Sequence, residues 1–203
     1  PVLAQVSPGF GVVMSDFNAD GFCDAYLAQN QFTTRREIGR WDGGVSTLLL
    51  GNGKGQLVAV PPRESGLILP EDANSAAISD VTGDGWPDIV AGINDGSVIA
   101  FEHHRVPKKR ILSVRLKGKP GNPTAVGARV SLVRSDGLRQ TAEVTAGGGY
   151  LSQQSPILWF GLGSTPRASS IQVRWPDGGA SKHSPKPDGS AILIEQPGRN
   201  SGR

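Results

Sequence analysis

"DFNADGFCD", residues 16–24, sets a carboxylate or an amide at every second position, then Gly21, then one more acid. Sixty-four residues later the chain does nearly the same again, as "DVTGDGWPD", residues 80–88. One such cluster reads as a solvated turn. Two in the same register, each between short β-type runs, point to a repeated unit built around an acidic loop. Aligning Asp16 with Asp80 superposes "GVVMSDFNADGFCDAYLAQN" on "SAAISDVTGDGWPDIVAGIN", so that strand, loop and strand coincide.

The spacing has a chemical reading. In a tightly curled loop, residues 1, 3 and 5 aim side-chain oxygens into one pocket, residue 7 offers its backbone carbonyl, and residue 9 closes the shell. That assigns Asp16, Asn18, Asp20, the Phe22 carbonyl and Asp24 to the first loop. It assigns Asp80, Thr82, Asp84, the Trp86 carbonyl and Asp88 to the second. Gly21 permits the sharp turn. Hard, flexible oxygen ligands of this kind suit Ca²⁺ rather than Zn²⁺ or a transition metal, so two calcium sites are expected. Three like charges within nine residues would repel one another without a cation. Without metal the same stretches are simply acidic hairpin turns. The loops are not EF-hands: Leu27 and Ala91 stand where that loop needs a bidentate Glu, and strands flank them where helices should.

Elsewhere the pattern is of short strands punctuated by Gly, Asn and Asp, such as "STLLLGN", "GQLVAV", "DIVAGI", "GARVSLVR", "ILWFGLG" and "AILIEQ". No apolar 3.6-residue period lasts three turns, so the chain is expected to be almost all β. Asp-Gly inside "RSDGLR", residues 134–139, signals a tight hairpin. A period near 60 residues with about four strands per unit suits a β-propeller blade, and propellers close with about 4 to 8 blades. Fewer than two units are visible. The expectation is therefore a set of incomplete blades, from a fragment or from a chain that packs against further blades or another chain.

Charge divides the chain. Residues 1–105 carry 6 Lys and Arg against 13 Asp and Glu, whereas residues 106–203 carry 15 against 5. The change falls at "HHRVPKKR", residues 103–110, which is read as a domain boundary. The expected organisation is two repeats over 1–105, a β-domain over 106–183, and a C-terminal strand and tail over 184–203. The start, "PVLAQVSPGF", has neither a basic opening nor an apolar core, so no signal peptide is expected there. No apolar run reaches the ~18 residues of a membrane span. The single cysteine, Cys23, excludes an internal disulfide, and strand alternation would bury it.

With these residues in view, the two units resemble FG-GAP/VCBS repeats, the calcium-loop blades of integrin-α-type propellers. "LLLGNGKGQLVAV", residues 48–60, is similar to the glycine-rich hairpin that follows the calcium loop in that family, with Leu57 in the aromatic place. The second half resembles the ASPIC/UnbV domain of cartilage acidic protein-like and bacterial secreted repeat proteins. The resemblance rests on "RLKG" (115–118), "NPTAVGARVSL" (122–132), "AGGGYLSQQSP" (146–156), "FGLG" (160–163) and "VRWPDG" (173–178). It covers about residues 8–180 and leaves the last 20 unmatched. It implies calcium-stabilised blades followed by a β-sandwich-like domain, secreted or in the cell envelope, with no agreed catalytic role. Thr82 departs from the acid or Asn usual at its place.

Other chemistry is thinly represented. "GNGKG" (51–55) lacks the Lys-Ser/Thr and helix of a phosphate loop. His103, His104 and His183 have no metal-ligand spacing and read as surface residues. No G-x-S-x-G elbow occurs. Tyr150, Trp159 and Trp175 read as packing before ligand stacking, and "GYLSQQ" is the best recognition-loop candidate. Arg115, Lys117 and Lys119 alternate along one strand face, as a solvated edge does. Nucleic acid is an unexpected partner. The expected function is a non-enzymatic extracellular or cell-envelope module that contacts a protein or glycan. The alternative is a non-catalytic accessory region of a secreted hydrolase or lyase acting on polysaccharide.

Overall fold

A computed structural model describes residues 8–29, 45–164, 167–185 and 191–198. The described residues are all-β but for one short helix, α1 (Pro62–Ser65), which has Pro at its start and Gly66 in the left-handed conformation at its end. Two compact units form, the first from the described parts of 1–18, 22–105 and 147–155, the second from those of 19–21, 106–146 and 156–203.

The first unit begins with an antiparallel sheet in the order β1 (Gly9–Ser15), β2 (Asp24–Gln29), β3 (Thr47–Gly51), β4 (Leu57–Val60). A second sheet follows in the order β5 (Ala73–Ser79), β6 (Asp88–Ile93), β7 (Ile99–Phe101), and β5 packs against β1 and β2. The two acidic stretches occupy equivalent places: Ser15 pairs with Asp24 across the first, Ser79 with Asp88 across the second. Even the bulges repeat. β1 shifts register between Gly9 and Gly11, and β5 shifts between Ala73 and Ser75, the same offset that relates Asp16 to Asp80. A bulge bends a strand and raises its twist, so both repeats bend alike. Val13, Tyr26, Ala28, Ala76, Ile78, Ile89 and Ala91 are buried in this unit. The second repeat has three described strands, not the four its period suggests: after β7 the chain runs into "EHHRVP" with no further strand.

The glycine-rich hairpin forms between β3 and β4. The Asn52 carboxamide oxygen accepts from the amides of Lys54 (2.8 Å) and Gln56 (3.3 Å), so one side chain satisfies the turn. Residues 147–155 also belong to this unit and lie along β5. Ser152 Oγ donates to the Ala76 carbonyl (2.7 Å) and the Ser155 amide to the Ile78 carbonyl (3.0 Å), while Tyr150 meets Phe10 with ring centroids 6.1 Å apart. The candidate recognition loop thus supplies donors to carbonyls along one strand, although Tyr150 and Leu151 remain exposed.

The second unit is a two-sheet sandwich. One sheet runs β10 (Arg139–Glu143), β9 (Arg129–Arg134), β12 (Ala168–Arg174), β13 (Ala180–His183), all antiparallel. The other runs β11 (Ile157–Gly163), β8 (Arg110–Lys117), β14 (Ile192–Glu195), with β14 parallel to β8. Leu112, Val114, Leu158, Phe160, Leu162 and Ile194 from the second sheet share one buried cluster with Val130, Leu132, Ile171 and Val173 from the first. In the "RSDGLR" hairpin only Gly137 of the Asp-Gly pair takes a positive φ (89°), and Asp136 instead pairs with Arg134. Arg115 and Lys117 are exposed, and Lys117 pairs with Glu195 at 2.9 Å. Among the described residues no helix is long and apolar enough to cross a membrane.

Phe160 is 1% exposed and Leu193, on the outer side of β14, is 59% exposed. Phe160→Ala is expected to lower the unfolding free energy by about 3–5 kcal/mol in urea denaturation, and Leu193→Ala by no more than about 0.5 kcal/mol. Similar costs for the two would place the core elsewhere.

Candidate metal centre

The acidic loops share one backbone path. Their fourth residues, Ala19 and Gly83, take φ of 55° and 75°, and their sixth, Gly21 and Gly85, take 99° and 88°. Two left-handed residues two apart curl the chain tightly enough to bring alternate side chains inward. At the sixth place glycine costs no steric strain.

The ninth residue holds each curl closed. Asp24 is fully buried; its Oδ2 accepts from the amides of Phe17 (2.8 Å) and Asn18 (3.3 Å), and its Oδ1 from the amide of Gly51 (2.8 Å). Asp88, 1% exposed, does the same: Oδ2 accepts from Val81 (2.8 Å) and Thr82 (3.1 Å), Oδ1 from His103 (2.8 Å). A carboxylate out of water is tolerated when charge-assisted bonds replace its hydration. Each ninth aspartate therefore ties the start of its loop to the end of the third strand of its repeat. The sequence pattern gave Asp24 and Asp88 a place in a metal shell; the structure engages both with backbone amides.

The remaining donors are distributed unevenly. Asp16 is buried, while Asn18, Asp20 and Phe22 are half-buried. In the second loop Asp80 Oδ2 accepts from the Gly85 amide (3.1 Å), but its Oδ1 is buried with no hydrogen-bond partner. Asp84 Oδ1 accepts from the Trp86 amide (2.9 Å), and Arg105 reaches over with Nε 3.0 Å from Asp84 Oδ2 and Nη2 2.9 Å from the Asp84 carbonyl. Partial desolvation pushes the Asp84 carboxyl up, but the Trp86 amide and the Arg105 guanidinium outweigh it and hold the group below the usual carboxylate value. Thr82 is exposed, and its hydroxyl lies 3.3 Å from Asp88 Oδ2. Among the described residues, no three His, Cys, Asp or Glu side chains converge as a ready metal group. The donor chemistry still fits a hard cation. The buried, unpartnered Asp80 Oδ1 is the kind of oxygen that such an ion would satisfy.

Three side chains stand apart from the sequence reading. Cys23 is exposed, because β2 begins at Asp24 and strand alternation does not reach back to it. Its thiol is nonetheless raised in pKa, first by local desolvation and then by the Asp24 and Asp16 carboxylates. His183 is half-buried, 2.8 Å from Ser181 Oγ. His103 is half-buried too: its Nε2 lies 2.7 Å from the Phe17 carbonyl, and its ring stacks on Trp86 with centroids 5.0 Å apart and planes 18° apart. Neither Arg105 nor His103 lies within a loop motif. In the sequence both fall in "HHRVPKKR", which reads only as a domain boundary.

Residues 16–91 match the family model described as FG-GAP-like repeat, and residues 118–201 match that of ASPIC and UnbV. The chain is thus similar to an FG-GAP-like repeat in its first half and to an ASPIC and UnbV domain in its second. The second match runs to residue 201, through β14 and into the tail that the sequence reading left unmatched. The chain is also similar to Cartilage acidic protein 1 of Xenopus tropicalis, 34% identical over 107 residues; the match covers 50% of this chain and 16% of that protein.

Removing the Asp24 carboxylate strands three amides, that of Phe17 in a buried place and those of Asn18 and Gly51 in half-buried ones. Asp24→Ala is expected to cost about 2–4 kcal/mol even in calcium-free buffer, measured by urea denaturation, and Asp88→Ala a similar amount. A loss below about 0.5 kcal/mol for either would mean that the amides find other acceptors. Because the Cys23 thiol is raised, less of it is thiolate at pH 8. Alkylation in the metal-free protein is therefore expected to be slower than for a free cysteine peptide.

Proposed function

We propose that the chain is a calcium-stabilised interaction module of an extracellular or cell-envelope protein, working by contact with a protein or glycan rather than by catalysis. The observation that carries this reading is the duplicated loop, with its left-handed residues and its ninth-position clamp in the same places twice. Geometry kept twice in one chain is what a shared ligand demands, and the ligand that suits alternate Asp, Asn and Thr oxygens is calcium. Asp16, Asn18, Asp20 and the Phe22 carbonyl would hold it in the first loop; Asp80, Thr82, Asp84 and the Trp86 carbonyl would hold it in the second. Bound there, the ion supplies the positive charge that lets clustered carboxylates stay ionised. The residues themselves supply the curl, and Asp24 and Asp88 keep it closed.

An extracellular setting is supported by the FG-GAP-like repeat and by a relative named for cartilage. The chain spans about 16% of that relative's length, so its work is proposed as that of one module within a larger protein or assembly.

The loops should not bind equally. In the second, the exposed Thr82 hydroxyl is a poorer ligand than the Asn18 carboxamide, and Asp84 is already held by Arg105. Both are expected in the range of extracellular modules, roughly 10⁻⁴–10⁻³ M or somewhat tighter, with the 16–24 loop ahead. Calcium at a hundredfold excess over its dissociation constant would add about 2.7 kcal/mol, raising the melting temperature by about 5–10 °C relative to chelator. Asp20→Ala should remove more of that rise than Asp84→Ala. Identical melting curves in calcium and chelator would overturn the reading.

A further inference from the structure

We propose that His103 is a strut that mechanically couples the two acidic loops, so that ordering one loop orders the other. The argument starts from the repeat itself. Gly51 and His103 hold the same post: the amide of each donates to Oδ1 of its own repeat's ninth aspartate at 2.8 Å. At Gly51 a Cβ would fall 2.1 Å from the Cys23 carbonyl oxygen, so the first repeat admits only glycine there. The second repeat places an imidazole at this post, and the imidazole leaves its own repeat.

Its Nε2 lies 2.7 Å from the carbonyl of Phe17, the second residue of the first loop. A carbonyl only accepts, so Nε2 is the donor in this contact. Nδ1 is buried and has no hydrogen-bond partner, so the ring has no competing bond to turn toward. The ring face stacks on Trp86, the seventh residue of the second loop. One rigid side chain therefore touches both loops, and each contact adjoins a hydrogen bond that shapes its loop. The Phe17 amide is a donor to Asp24, and the Trp86 amide is a donor to Asp84. Contiguous packed groups of this kind carry coupling between sites when each site has an ordered and a loosened state. Coupling is reciprocal, and values of about 1–3 kcal/mol, or roughly 5–150-fold, are typical.

The test has two arms. The first needs no metal. In calcium-free buffer, amide hydrogen exchange is measured at Phe17, Asn18, Val81 and Thr82 for the whole chain and for His103→Ala, His103→Gln and His104→Ala. His103→Ala should speed exchange at both pairs by about fivefold or more, with core amides of β2 and β6 unchanged. His104, exposed beside it, serves as the control and should change neither pair. Gln places an amide nitrogen near the position of Nε2, so His103→Gln should restore protection at 17–18 while leaving 81–82 fast. Faster exchange at 81–82 alone in His103→Ala overturns the strut.

The second arm rests on the calcium reading. Asp20→Ala disables the first loop, and second-loop affinity is read from terbium luminescence excited through Trp86. Asp20→Ala should weaken the second loop about fivefold or more with His103 present, and less than about twofold in His103→Ala. Equal weakening in both backgrounds, or none in either, overturns the coupling. Absence of terbium binding at both loops would sink the calcium reading instead, and the exchange arm would still decide on the strut.

Discussion

A single carboxylate, taken out of water and given to three backbone amides, is the interaction on which each repeat depends. Asp24 and Asp88 do this with matching donors: the second and third residues of their own loop and a residue at the end of the third strand (Gly51) or two residues past it (His103). Their pairing partners, Ser15 and Ser79, fix the register at which the first two strands stop. Without the acceptor, three amides lose their common partner, and the loop loses its tie to the third strand. An acid at this position is thus a structural requirement before it is anything else, which explains why it is the most buried acid of each loop described.

That division of labour clarifies how a metal would act. If all the acids were ligands, the loops could not close without the ion. Here closure belongs to the ninth residue, and the side-chain oxygens at the first, third and fifth places would be left to shape an ion's surroundings. The two loops then differ in what else is near. The second carries Arg105 on Asp84, a surface pair worth little to stability by itself. Its consequence is competition, since an oxygen that faces a guanidinium must exchange it to face calcium. The first loop has Asn18 where the second has an exposed threonine.

Much of this was legible in the sequence, for identifiable reasons. Alternating acids around Gly21 and Gly85 are local, and local geometry follows from spacing; so does the Asn52 turn. The offset between repeats was readable because it preserves strand, loop and bulge together. The sandwich was expected from the resemblance, and alternation in strands such as "GARVSLVR", whose buried Val130 and Leu132 flank the half-buried Ser131, accounts for it. What was not legible depends on contacts distant in the chain. His103 and Phe17 lie 86 residues apart, and no spacing rule joins them. Burial of Cys23 was misread because strand alternation was extended one residue beyond the start of β2. The strand β13 escaped notice because "ASKH" lacks the apolar alternation that marks an inner strand; it is an edge, exposed or half-exposed throughout.

The duplicated loops are proposed as cation sites built on a closed scaffold. The most direct measurement is anomalous scattering from crystals of the chain grown with a calcium-mimicking lanthanide. The account predicts two peaks, one in each loop, surrounded by oxygens of Asp16, Asn18 and Asp20 and of Asp80, Thr82 and Asp84 at about 2.3–2.6 Å, with the amide bonds of Asp24 and Asp88 intact. It also predicts that Arg105 has left Asp84 in the occupied second loop. Crystals without a peak in either loop, or with ions held only at surface carboxylates outside residues 16–24 and 80–88, would contradict it.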